Sequence, residues 1–206
     1  MIKYFVRTTG ERALDKSFSQ INYILLVDNE HKCGTSFLKQ LELINDYDAV
    51  LMEDDIILCK DFQKRIEEVI SKYPNEIINF FTIPTIYFKT HKDDGFSYNQ
   101  CTYFPKGIAK KLLSARNPKF HKESAEFLLN SMLCTTRIKH IKYRPCLVQH
   151  IDDCSLMGHT YGWYRRSPFF IDYLDELGVT YEEAKEPKIQ AKLTDLMKRK
   201  FKERYK

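Results

Sequence analysis

The chain has 206 residues, of which 43% are hydrophobic and 14% aromatic, and a formal net charge of +5. That composition builds a packed core and excludes a disordered or low-complexity protein. The charge is too mild to announce a nucleic-acid partner by itself. No apolar run approaches the ~18 residues that suggest a membrane span. Residues 1–7 are too short and too interrupted for a signal peptide. The six cysteines, at 33, 59, 101, 134, 146 and 154, include no Cys-x-x-Cys pair. They read as core filler in a reducing compartment, and a cytoplasmic protein is expected.

Residues 2–7 are β-rich and end in Arg7-Thr8-Thr9-Gly10-Glu11-Arg12. A strand, a polar turn with Gly10 and then a short helix would open a nucleotide-binding α/β unit. A Gly-x-Gly-x-x-Gly fingerprint is absent. Arg7, Thr8, Thr9 and Arg12 are candidates for contacting a base or a diphosphate, since the planar fork of arginine offers two donors at once. The alternative is a helix cap with a surface arginine. Residues 23–27 (YILLV) read as a second buried strand ending at Asp28. A helix from Gly34-Thr35-Ser36 to about residue 45 places Phe37, Leu38, Leu41 and Ile44 on one face. A third strand covers 48–53, and the order β-α-β-α-β predicts a parallel, Rossmann-like half.

That third strand ends in Glu53-Asp54-Asp55. Like charges this close repel and raise one another's pKa, and a hard divalent cation relieves them. Ligands of open α/β sheets bind outside the carboxyl ends of the strands. The motif therefore points to a Mg²⁺ or Mn²⁺ site for a phosphorylated substrate, or else to a solvated acidic turn.

A helix follows from Asp61, with Phe62, Ile66, Val69 and Ile70 inward, then a strand over 77–83 and a polar loop over 84–98. That loop either touches an acceptor or is a plain surface connection. Residues 101–113 read as strand, proline turn and helix; Lys106-Gly107 at the turn either meets an anionic group or caps the helix. Residues 121–134 form an amphipathic helix with Glu123 and Glu126 near its start. An apolar strand then leads into Gln149-His150-Ile151, followed by Ser155 and Gly158. In the stretch from 160, Trp163, Arg165 and Arg166 combine a flat ring with two guanidiniums. Such a set stacks on a ring and holds a phosphate, or forms a lid or docking strap. Helices are expected over 171–177 and 187–204. The basic tail, 198–206, is a solvated helix end or a grip on DNA phosphates or an anionic membrane.

Taken together, the apolar strand with Glu53-Asp54-Asp55, the segment 101–113, the acids of the 121–134 helix and the strand ending at His150 resemble GT-A fold glycosyltransferases. The resemblance covers roughly residues 1–160. It implies a single α/β GT-A (Rossmann-like) domain with a mixed central sheet, carrying residues 161–206 as an aromatic and basic helical extension packed on it. It implies transfer of a sugar from a nucleoside-diphosphate sugar, with a UDP-sugar favoured, to a hydroxyl acceptor. Asp55 and His150 would hold the metal, and the imidazole favours Mn²⁺ over Mg²⁺. Asp28, Glu53 and Asp54 would lie near the nucleoside. Glu126, or else Glu123, would be the general base of an inverting enzyme. Lys106, Trp163, Arg165 and Arg166 are the acceptor-side candidates. Family members often carry a glycine after His-Ile, where this chain has Asp152. Small GT-A-like enzymes also resemble the phage-type and base-J-type enzymes that glycosylate hydroxymethylated DNA bases. The basic tail leans towards that acceptor, which would put a phage-encoded protein in the host cytoplasm; a cell-envelope glycan is the alternative. Two other classes fit parts of the pattern: a metal-dependent nucleotidyl or phosphoryl transferase, and a non-catalytic nucleic-acid-binding domain. Oligomeric state is not written in the sequence.

Overall fold

The structure is a computed structural model and describes residues 1–29, 33–83, 99–120, 123–151 and 165–204. Its strands are β1 (Ile2–Thr8), β2 (Tyr23–Val27), β3 (Asp48–Glu53), β4 (Ile56–Leu58), β5 (Ile77–Asn79), β6 (Cys101–Phe104), β7 (His140–Lys142) and β8 (Val148–His150). Its α-helices are α1 (Cys33–Ile44), α2 (Phe62–Lys72), α3 (Ile108–Ser114), α4 (Ala125–Thr136), α5 (Ile171–Leu177) and α6 (Pro187–Arg204). Six strands make one mixed sheet in the order β2-β1-β3-β6-β5-β7, while β4 and β8 form a separate two-stranded ribbon. β1 runs parallel to both β2 and β3, β6 runs antiparallel to β3 and β5, and β7 is parallel to β5. The class is thus α/β, as the alternation of elements predicts.

Period-two alternation along the central strands splits the core into two. Tyr4, Val6, Val50 and Met52 face one cluster, which they share with α2, α5 and α6. Phe5, Ala49 and Leu51 face the other, shared with α1, α3 and α4. A strand covered on both faces has to be apolar throughout, which is why Ala49 to Met52 is an unbroken hydrophobic run. Residues 165–204 belong to the first cluster through Phe169, Phe170, Tyr173, Leu193, Leu196 and Met197. The anticipated inward residues of α1 (Phe37, Leu38, Leu41, Ile44) and α2 (Phe62, Ile66, Val69, Ile70) are all buried. No described helix is long and apolar enough to cross a membrane.

Several expectations are corrected. β2 is present but not buried: it is the sheet's edge, and Ile24, Leu25 and Val27 stand 46%, 49% and 51% exposed. Its apolar composition mimics a central strand because composition reports β-propensity and not lateral position. The helix expected after Gly10 does not form. A single 3₁₀ turn at Lys16–Gln20 takes its place, capped by Asp15, which accepts from the Ser17 amide at 2.9 Å. The strand expected over 77–83 is only β5, because the Asn79 side chain accepts from the Phe81 amide at 2.8 Å and turns the chain out of the ladder. Residues 80–83 are nonetheless buried. The helix expected over 121–134 is shifted: Ser124 caps it, and it begins at Ala125. Of the cysteines, Cys59, Cys101 and Cys146 are buried, Cys33 is half-buried and Cys134 is exposed.

Substitutions in β2 and β3 separate edge from centre. Leu51→Ala should cost about 2–5 kcal/mol in urea unfolding, whereas Leu25→Ser should cost less than about 1 kcal/mol. Equal losses would mean that β2 is not an edge.

Candidate donor and metal site

The three carboxylates stand where β3 leaves the main sheet and hands over to β4. The Glu53 amide still bonds the Gln100 carbonyl at 2.9 Å, so the main ladder persists to that residue. Asp54 and Asp55 then make the turn, and β4 pairs antiparallel with β8 so that Ile56 faces His150. The Ile151 amide bonds the Asp55 carbonyl at 2.8 Å and closes the ribbon on the turn. This crossing brings together two residues far apart in sequence: His150 Nε2 lies 3.2 Å from Asp55 Oδ2. His150 is 2% exposed and its ring packs near Phe81.

The end of β1 supplies the other half. Arg7 pairs through Nη2 with Glu53 Oε1, and its guanidinium also lies over the Phe37 ring of α1. Thr8 Oγ1 donates to Asp54 Oδ2 at 2.6 Å and accepts from the Gly10 amide at 2.9 Å. That second bond needs the chain to fold back at Gly10, whose φ of 80° favours glycine. The turn returns Arg12 to the acids, with Nη1 3.2 Å from Asp55 Oδ2 and 3.7 Å from Asp54 Oδ1. Thr9 follows Thr8 with a buried hydroxyl oxygen that has no hydrogen-bond partner among the described residues. The Asp28 amide bonds the Thr8 carbonyl at 2.8 Å, so Asp28 shares this rim. The whole predicted donor set, Arg7, Thr8, Thr9, Arg12, Asp28, Glu53 and Asp54, therefore lies at the carboxyl ends of β1, β2 and β3.

Environment divides the two aspartates. Burial pushes the Asp54 carboxyl above its ordinary pKa, and the neighbouring Asp55 charge adds to this against the Thr8 hydrogen bond and Arg12. Burial acts upward on Asp55 as well, but His150, Arg12 and Arg165 outweigh it and hold Asp55 below its ordinary value. Asp55 is thus the committed anion of the turn. Its Oδ1 is buried without a hydrogen-bond partner among the described residues, so an acceptor oxygen is left over. Among those residues no group of three or more His, Cys, Asp and Glu side chains forms a metal cluster. Two protein ligands suffice for a hard ion that takes its remaining oxygens from phosphate and water. Such an ion, with bonds of about 2.1 Å at right angles, spaces adjacent ligands about 3.0 Å apart. The 3.2 Å between Asp55 Oδ2 and His150 Nε2 fits a shared ion as well as it fits a direct hydrogen bond.

The remaining candidates divide. Arg165 is half-buried and its charge acts on Asp55. Arg166 is not an acceptor contact. It is 2% exposed, donates through Nη2 to the Ile151 carbonyl at 3.1 Å and lies 5.1 Å from the Phe201 ring centre. Lys106 is at the other end of the sheet: its amide donates at 3.1 Å to Asp48, the first residue of β3. A six-residue strand puts it about 17 Å from the acidic turn. Glu126 occupies the first turn of α4. That helix leads down to Lys139, whose carbonyl meets the Ile77 amide at the Asp48 end of the sheet. It packs on the same face of the sheet as α1 and α3. Among the described residues no hydrogen bond or ion pair links Glu126 to the acids. Glu123 is exposed and precedes the Ser124 cap. Trp163, Asp152 and the 84–98 loop lie outside the described residues.

Sequence inspection missed two supports. Gln149 is fully buried and clamps Ser167 from both sides, Nε2 to its carbonyl at 2.8 Å and Oε1 from its amide at 2.9 Å. A glutamine inside an apolar strand is the available signal, since a buried amide needs partners. Phe37 is legible as core but not as the face under Arg7.

No family model matches the sequence, and no curated protein matches it. Among solved structures, the crystal structure of A197 from STIV is similar, with a TM-score of 0.49 and 14% identity over 74% of this chain and 86% of that one. A likeness of this degree carries no argument about chemistry.

The raised pKa of Asp54 has a sign that can be measured. A carboxyl whose folded pKa exceeds its unfolded one costs stability when both states are ionised, and the cost fades as the pH falls through the folded value towards about 4. Asp54→Asn, which still accepts from Thr8, should raise the melting temperature at pH 7, with the gain shrinking towards pH 4. A loss of stability at pH 7 would contradict this assignment.

Proposed function

We propose that this chain is a metal-dependent glycosyltransferase of GT-A type, moving a sugar from a nucleoside-diphosphate sugar, a UDP-sugar first among them, to a hydroxyl acceptor. The observation that supports it most is the meeting of Asp55 and His150 at 3.2 Å, on a rim that also carries Arg7, Arg12 and Asp28. Such a rim suits a ligand with a flat nucleoside and a charged diphosphate. Asp55 and His150 would hold Mn²⁺ or Mg²⁺, which when bound neutralises charge on the departing diphosphate. Arg12 would engage diphosphate oxygens, and Asp28 the nucleoside. In an inverting reaction Glu126 would take the acceptor's proton as its oxygen bonds the anomeric carbon. The bond from that carbon to the diphosphate breaks, and its electron pair leaves with the diphosphate.

The acceptor is best stated as a hydroxyl, shared by a hydroxymethylated DNA base and an envelope glycan. Several of the basic features that favoured DNA are engaged within the fold. Arg166 is interior, Arg199 and Lys200 pair with Glu176, and Arg204 pairs with Asp15 at 3.1 Å.

The donor is tested by melting the protein with UDP, GDP, CDP or ADP, each with and without Mn²⁺. A ligand at about 100 times its dissociation constant adds about 2.7 kcal/mol, a shift of roughly 5–10 °C at this size. One diphosphate should give such a shift only with Mn²⁺, and Asp55→Ala should abolish it. A folded protein that responds to none of them would overturn the proposal.

A further inference from the structure

Arg7 and Arg12 both reach the acidic turn, but they are held differently. Arg7 belongs to β1, pairs with Glu53 and lies against Phe37. Arg12 stands on the irregular segment after Gly10, and its Nη1 faces both Asp55 Oδ2 and Asp54 Oδ1. Asp55 Oδ2 is the same oxygen that faces His150. A divalent ion bound to Asp55 and His150 would compete with the Arg12 guanidinium for that oxygen and be repelled by its fixed charge at close range. A diphosphate reverses the balance, because a guanidinium bonds phosphate oxygens at least as well as carboxylate ones.

We propose that Arg12 makes metal capture conditional on nucleotide: it is the resident counter-cation of Asp54 and Asp55, and it passes to the diphosphate when metal and nucleotide bind together. This rests on the donor-site reading of the acidic turn and adds a binding order to it. Arg12 is then a specificity-determining residue: it excludes free divalent ions and admits the metal–diphosphate pair. By linkage, metal and nucleotide must tighten each other by the same factor.

Equilibrium dialysis of the full chain against Mn²⁺, with nucleotide matched on both sides, measures this directly. Wild-type protein should bind Mn²⁺ weakly alone and roughly 10-fold or more tightly with saturating UDP, or with whichever of GDP, CDP and ADP it accepts. Arg12→Gln should bind Mn²⁺ alone about 10-fold more tightly than wild type and gain little from nucleotide. Arg12→Lys, which keeps the charge, should retain the weak binding of metal alone, whereas Arg12→Met, a second neutral variant, should behave as Arg12→Gln does and covers the case in which the glutamine variant fails to fold. Wild-type metal affinity together with undiminished enhancement by nucleotide in either neutral variant, Arg12→Gln or Arg12→Met, overturns the role of Arg12. Absence of Mn²⁺ binding by folded wild-type protein with every diphosphate overturns the donor site itself and this role with it.

Discussion

Three consecutive carboxylates at the end of a buried strand cannot stand without compensation, and the arrangement around them follows from that constraint. Each acid has its own counterpart. Glu53 has Arg7, Asp54 has the Thr8 hydroxyl and a share of Arg12, and Asp55 has Arg12 and His150. Desolvation works against all three, so the partners must be close and fixed. Two of the fixings are local to β1, whose register with β3 sets Arg7 opposite Glu53. The third is long-range and needs β8 to return beside β4.

That return is braced from the far end of the chain. Phe201 of α6 lies under the Arg166 guanidinium, Arg166 bonds the Ile151 carbonyl, and the Ile151 amide bonds the Asp55 carbonyl. Gln149, next to His150, is clamped to Ser167. The C-terminal helices are also tied to the start of α2, where the Lys60 amide donates to Asp172 and Arg65 pairs with Asp175. A series of short contacts thus connects α6 to the candidate metal site. Residues 165–204 hold the His150 strand in place as well as completing the core.

Much of the sheet was legible in the sequence where both faces of an element are covered, because burial on two sides leaves a mark in the residues. The Ala49–Met52 run and the inward faces of α1 and α2 are such marks. β2 shows where this fails: Tyr23 to Val27 has the composition of a central strand and lies at the edge, since lateral position is decided by partners far away in the chain. The helix expected after Gly10 was lost to side-chain bonds. Thr8 and Asp15 satisfy the amides of Gly10 and Ser17, and the chain takes turns instead. At the site, the acidic triplet and the residues after β1 were legible because charge at the end of an apolar strand is conspicuous. Arg166 was misplaced because a guanidinium in an aromatic stretch looks the same whether it faces solvent or the interior of its own fold. Lys106 was misplaced because nothing local says at which end of the sheet a turn will fall.

The central claim is that the turn at Asp55 and His150 is where a metal and a nucleoside diphosphate meet. Crystals grown with UDP and Mn²⁺, with anomalous scattering recorded for manganese, test it most directly. The account predicts one manganese peak within bonding distance of both Asp55 and His150, with the diphosphate beside it at the carboxyl ends of β1 and β3. A nucleotide bound elsewhere on the molecule, or manganese bound away from these two side chains, would contradict it.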